Sequence, residues 1–386
     1  MLALKYEGGK IFAADQSTKD LLTNGHFGTE NSGRLELLPE EALYLIDVRN
    51  AECTYKNSKI SFNKLAARFK KGGASIAKYF AYKDWRDRGL IAKSVHTEHK
   101  EPNKNPVKEY PSAPLKMPKI KVEGAFFKND LITIIEDKDL GRQLYENLWF
   151  GQYGSYKIAD HGSLNKLDIY ETVFLMKHGV LHVDGYSQSD IINAAKTKHA
   201  DFSKLYDVYA DWREHGYVIK TGFKFGTHFR VYFPGAKPTK ADTENWIHSK
   251  HVLQVFPKNT KLLISEWSRA VRVAHSVRKT FILAIPGRAS SKKSKPRIDM
   301  LLYHRHGGVA DSPETDPPKY AMLAFSEEEY IGGVELSSAI AAAKDMKMDV
   351  MLAIMDRETA ITYYRIQQIT LPNSSHEYYE IDWIQP

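Results

Sequence analysis

Three side chains in the middle of this 386-residue sequence could together cut a phosphodiester: the phenol of Tyr232, the imidazole of His248 and the ammonium of Lys279. Attack of a ribose 2′-hydroxyl on its adjacent phosphate needs a base, an acid for the leaving 5′-oxygen, and positive charge beside the crowded phosphorane. Those groups meet the need without a metal. The same stretch has no carboxylate pair with a nearby lysine and no helical His-Glu-x-x-His, so neither a metal nor a cofactor is expected. Each residue also has an ordinary reading. Tyr232 could be an interfacial aromatic, His248 a loop histidine with His251 as its competitor, and Lys279 a counter-charge to a helix C-terminus.

What would make them a site is their placement. HFRVYF (228–233) and HVLQVF (251–256) are β-branched and aromatic with turn-rich material between, and read as strands. Ser265 to Arg278 reads as a helix with Trp267, Ala270, Val271, Ala274 and Val277 along one stripe, followed by a buried strand, TFILAI, from Thr280. A strand, helix and strand form a right-handed parallel unit, so both strands start at one sheet edge. His248 precedes the first strand and Lys279 the second, so they meet. Antiparallel pairing of HFRVYF with HVLQVF brings Tyr232 to that edge as well. Arg272, two helical turns before Lys279, is placed on the same helix face.

The chain is too long for one ordinary core, and it repeats itself. YKDWRDRGLIAKS (82–94) answers YADWREHGYVIKT (209–221), and EALYLID from Glu41 answers ETVFLMK from Glu171. A second repeat sets SRAVRVAHSVRKTFILAI (268–285) over SSAIAAAKDMKMDVMLAI (337–354) without a gap, with Met348 at the place of Lys279 and Ala341 at that of Arg272. The region from His96 to Lys119 carries Pro102, Pro106, Pro111, Pro114 and Pro118, and the region from Gly307 to Pro318 three more, so both read as linkers. The expected division is 1–98, a linker at 99–119, a middle unit at 120–306 (subdomains 120–222 and 223–306), a linker at 307–318, and 319–386. The fold class expected is α/β, built as repeated α+β units with mixed sheets and packed helices.

A net charge of +8 and a pI near 9.1 favour a polyanionic partner over a small neutral substrate. A single cysteine, Cys53, allows neither an internal disulfide nor a cysteine metal cluster. There is no 18-residue apolar run and no apolar N-terminal stretch, so a cytoplasmic protein without membrane attachment is expected.

GYVIKTGFKFGTHFRVY, IHSKHVLQVF and SRAVRVAHSVRK, in that order, resemble the signature of the archaeal tRNA-splicing endonuclease catalytic domain. The resemblance implies Tyr232 as general base, His248 as general acid and Lys279 as transition-state stabiliser. It implies products with 2′,3′-cyclic phosphate and 5′-hydroxyl ends. A free tyrosine has a pKa of about 10 and is only ~0.1% phenolate at neutral pH, so a base there needs help, which a neighbouring lysine ammonium would give. The first unit is similar to the family's N-terminal domain, and the third to a catalytic domain stripped of its triad. That is the three-unit form, implying a homodimer in which the acidic turn of Asp356 and Glu358, before Thr362-Tyr363-Tyr364, docks into the partner. The implied substrate is precursor tRNA carrying a bulge-helix-bulge, its splayed bases gripped by Arg272 and, from the partner, by Arg297. Two departures stand out: a long stretch between Tyr232 and His248 with Lys237, Pro238, Lys240 and Trp246, and a basic loop, GRASSKKSKP (287–296). The rival readings are a noncatalytic RNA-binding subunit and a metal-dependent nuclease.

Overall fold

The strand Thr280–Ile285 buries both of its faces: Ile282 and Ala284 join one core while Phe281, Leu283 and Ile285 join another. Strands with side chains of period two that are apolar throughout need cover on both sides, and the chain supplies it. The computed structural model describes residues 2–70, 76–103, 106–155, 161–238, 248–287 and 296–386, without the side chain of Lys70.

An eleven-stranded mixed sheet runs through the molecule. Its strands are β1 (Ala92–Lys93), β2 (Lys108–Glu109), β3 (Val218–Thr221), β4 (Phe229–Tyr232), β5 (His251–Val255), β6 (Thr280–Ile285), β7 (Met300–Leu302), β8 (Tyr320–Ser326), β9 (Asp349–Met355), β10 (Ile361–Thr370) and β11 (Glu377–Ile384). Their spatial order is β3-β4-β5-β6-β11-β10-β9-β8-β7-β1, with β2 lying parallel beside β10. One face is covered by helices α1 (Ile264–Ser276) and α2 (Gly333–Asp345), whose Trp267, Val271, Leu336 and Ile340 share a core with Leu283, Leu352, Tyr364 and Tyr379. Two smaller α+β units cover the other face, one with a six-stranded sheet (residues 3–60) and one with a five-stranded sheet (122–183).

The halves of the large sheet are copies of one another. The shift that carries Ser268 to Ser337 also carries α1 onto α2 (264 to 333, 276 to 345) and the start of β5 onto that of β8 (251 to 320). It carries the parallel pair His251/Thr280 onto Tyr320/Asp349. The same shift takes Arg278 to Lys347, and both have left-handed backbones (φ 55° and 60°).

Two expectations differ from this arrangement. Residues 307–318 do not join two units, because the strands on either side of them, β7 and β8, pair antiparallel within one sheet. That stretch corresponds to the connection between β4 and β5, and β7, placed at the end of the middle unit, belongs with the third. Pro- and Gly-rich composition cannot tell a linker from a long loop. The stretch 99–119 is held across the sheet: Lys108 and the buried Tyr110 both donate to Glu380, and Tyr110 N donates to Thr370 O at 2.9 Å. Among the described residues, no helix is long and apolar enough to cross a membrane.

Candidate active site

Register sets the site. β4 and β5 are antiparallel with Val231 facing His251, so Tyr232 closes β4 where β5 begins. β5 and β6 are parallel with His251 facing Thr280, so the residues entering them, His248 to Lys250 and Lys279, lie side by side. Thr280 N donates to Lys250 O at 3.1 Å, and the Lys279 ammonium donates to the carbonyl of Ser249, the residue after His248. The edge reasoned from strand order is the edge observed. Ser249 is buried beneath this contact and His248 is exposed to solvent.

Lys279 does not sit on the helix. The helix stops at Ser276, Arg278 turns left-handed, and Lys279 N closes back on Ala274 O at 3.0 Å. The shared helix face assigned to Arg272 and Lys279 is therefore incorrect, since a reversal separates them; Arg272 remains exposed on α1. The Lys279 ammonium lies 5.2 Å from the ring centroid of Phe225. Burial lowers its pKa, and Arg230 and Lys250 lower it further.

Arg230 is a site residue that the sequence reading missed. It shares the face of Tyr232 by strand periodicity, and its guanidinium carbon is 5.7 Å from the Tyr232 ring centroid. Its Nε is buried without a hydrogen-bond partner among the described residues. Three cations converging on one partly desolvated place repel one another, an arrangement that an anion such as a phosphodiester relieves. The period-two position before Tyr232 was the available signal. Trp149 is a second omission: its ring packs on Tyr232 with centroids 4.7 Å apart.

His251 is a poor competitor for His248. It is buried between the rings of Tyr110 (5.4 Å) and Phe233 (5.2 Å), and burial, helped by Lys108, Lys250 and Lys279, holds its pKa at about 4. It is neutral at physiological pH and cannot act there as a cationic acid.

The remaining candidates lie elsewhere. Arg297 is tied down within the chain, with ion pairs to Asp299 (3.2 Å) and Glu335 (3.7 Å), a hydrogen bond to Ala324 O, and its guanidinium 4.3 Å from the Phe325 ring centroid. Asp356 accepts from Glu358 N and Ala360 N, both at 2.9 Å, and so shapes the turn before β10, leaving Glu358 exposed. Lys240, Trp246 and most of the two basic loops (239–247 and 288–295) lie outside the described residues. The third unit is not wholly without the triad: Leu302 faces Tyr320 as Val231 faces His251, so the buried Tyr303 stands at the register of Tyr232. Pro317 and Met348 occupy the other two places.

The fold and this edge define a nuclease-like unit present in two copies, only one of them with the full set of groups. The family described as tRNA intron endonuclease, catalytic C-terminal domain, matches residues 202–294, and its N-terminal domain matches residues 4–66. A tRNA-splicing endonuclease of Methanococcoides burtonii is 27% identical over 344 residues, covering 72% of this chain and 93% of the relative. Enzymes of the same name from Methanopyrus kandleri (33% over 175 residues, 44% of this chain and 89% of the relative) and Thermococcus kodakarensis (34% over 153 residues, 39% and 82%) are shorter matches. The chain belongs to the tRNA-splicing endonuclease family.

Proposed function

We propose that this chain excises introns from precursor tRNA by cutting bulge-helix-bulge junctions without a metal, leaving 2′,3′-cyclic phosphate and 5′-hydroxyl ends. Tyr232 takes the proton of the 2′-hydroxyl, His248 gives one to the leaving 5′-oxygen, and Lys279 neutralises charge building on the phosphorane. The observation that carries this reading is the bond from the Lys279 ammonium to the peptide beside His248, at the edge where Tyr232 ends its strand. Arg230 adds a further cation to the phosphate position, and the exposed Arg272 is available to an unpaired base.

The test is cleavage of an end-labelled bulge-helix-bulge RNA in EDTA by the wild-type enzyme and by His248→Ala, with product ends identified. Cyclic-phosphate ends from the wild type and a loss of about 100-fold or more in the variant are expected. Abolition of wild-type cleavage by EDTA, or full activity in the variant, rejects the assignment.

A second copy completes the enzyme in this reading, docked through the turn at Asp356 and Glu358. Asp356 is occupied in shaping that turn, so Glu358 is the residue to reverse. Glu358→Lys is expected to sediment as a monomer at concentrations where the wild type is dimeric, and to lose cleavage with the dimer. A dimeric, active variant removes the turn from the interface.

A further inference from the structure

Trp149 occupies a seat that the protein has built twice. It caps the helix Lys138–Leu148 with φ 53° and ψ 43°, a left-handed conformation uncommon for a bulky residue. Such a backbone persists where its surroundings over-determine it. Here Arg213 donates to Leu148 O (3.0 Å), Asn165 to Phe150 O (3.1 Å) and Lys220 to Gly151 O (2.8 Å), while Gly151 N donates to Glu171 (2.9 Å).

The first unit repeats this scaffold. Arg86 donates to Gly25 O (2.8 Å), Lys93 to Gly28 O (2.8 Å), and Gly28 N to Glu41 (3.0 Å). The arginine lies over the following phenylalanine in each copy, Arg86 over Phe27 at 4.2 Å and Arg213 over Phe150 at 3.9 Å. The seat corresponding to Trp149 is His26, with φ 57°. His26 pairs with Glu314 at 3.1 Å, and the strand-end tyrosine of that half of the sheet, Tyr303, stands at the register of Tyr232. The copy whose strand-end tyrosine shares a sheet edge with His248 and Lys279 has an indole in the seat, and that indole packs on the tyrosine.

We propose that Trp149 is a positioning residue of the reaction: its ring, fixed by the doubled scaffold, holds the Tyr232 phenol in the orientation that meets the ribose 2′-hydroxyl. The proposal rests on the reading of Tyr232 as the reacting phenol. It accounts for the ring pair of 4.7 Å at the place where Tyr232 ends its strand. The half-exposed indole is tied to Tyr232 rather than merely filling a core.

The test is single-turnover cleavage of precursor tRNA across a pH range at saturating enzyme, with RNA affinity measured separately. Variants are Trp149→His, Trp149→Phe, Tyr232→Phe, and Trp149→His combined with Tyr232→Phe. Trp149→His should fold, because His26 fills the same seat in the first unit. It is expected to cut about 10- to 100-fold more slowly, the scale on which misplacing a reacting group acts, with RNA affinity unchanged and an altered pH profile. Trp149→Phe is expected to recover most of the rate, and Trp149→His to cost nothing further once Tyr232 is phenylalanine. A normal rate in Trp149→His alongside a crippled Tyr232→Phe overturns the proposal alone. A loss confined to RNA affinity, or one fully retained in the double variant, overturns it in favour of a base-stacking or purely structural role. A fully active Tyr232→Phe overturns the Tyr232 reading, and this proposal with it.

Discussion

Lys279→Met is expected to cut precursor tRNA about 100- to 1,000-fold more slowly than the wild type while unfolding within about 1 kcal/mol of it. The third unit carries out this substitution already. Met348 stands at the register of Lys279 and is buried in the core beneath α2. At the sheet edge the lysine is partly desolvated, with Arg230 and Lys250 as neighbouring cations, so removing its charge relieves repulsion among them. Against that stands the loss of one hydrogen bond to Ser249 O, which contributes roughly 1 kcal/mol. Single-turnover rates and denaturant unfolding on the same preparations check both halves. A variant that cuts normally removes Lys279 from the chemistry. One that loses several kcal/mol of stability makes it a structural strut instead.

Glu171→Ala is expected to be the most destabilising single change near the site, by about 3–5 kcal/mol, a large part of the 5–15 kcal/mol typical of a domain. Glu171 is 2% exposed, and its carboxylate accepts from Lys220 (2.6 Å), Gly151 N (2.9 Å) and Asp168 N (3.1 Å). Alanine would strand the Lys220 ammonium and leave Gly151 N without its partner in a dry interior. Lys220 is itself buried, which leaves little water to replace the carboxylate and lowers its pKa. Replacing both partners, with Glu171→Met and Lys220→Met together, is expected to cost less than the single change, because no orphan charge remains. Denaturant midpoints of the three proteins decide it. A single variant milder than the double one would mean that the pair is strained in the native state.

The sequence reached the shared sheet edge because its signals there are local: two strands of period two, one helix stripe, and the handedness of a parallel crossover. His248, Lys279 and Tyr232 follow from those. Arg278 shows the limit. Nothing in VRKT marks a left-handed residue, and continuing the helix through it put Arg272 and Lys279 on one face. The run from Gly307 to Pro318 shows another, since a loop between paired strands and a connection between units share a composition. The seat of Trp149 was legible in part. Phe27-Gly28 and Phe150-Gly151 both precede the matched glutamates, but at unequal distances (13 and 20 residues back from Glu41 and Glu171), and a gapless comparison misses them.

The strand that completes the catalytic half of the sheet comes from far along the chain. β6, which Lys279 leads into, is flanked by β5 and β11, and β11 begins at Glu377, 92 residues after β6 ends at Ile285. During synthesis Tyr232, His248 and Lys279 therefore leave the ribosome long before the strand that closes their sheet. Until that strand arrives, β6 presents an unpaired, largely apolar edge, the kind of surface on which nascent chains aggregate. A copy shortened before residue 377 would hold Tyr232, His248 and Lys279 and lack the neighbour that keeps their sheet closed. The half of the sheet matched to the catalytic domain is thus closed by a strand made well after its own residues.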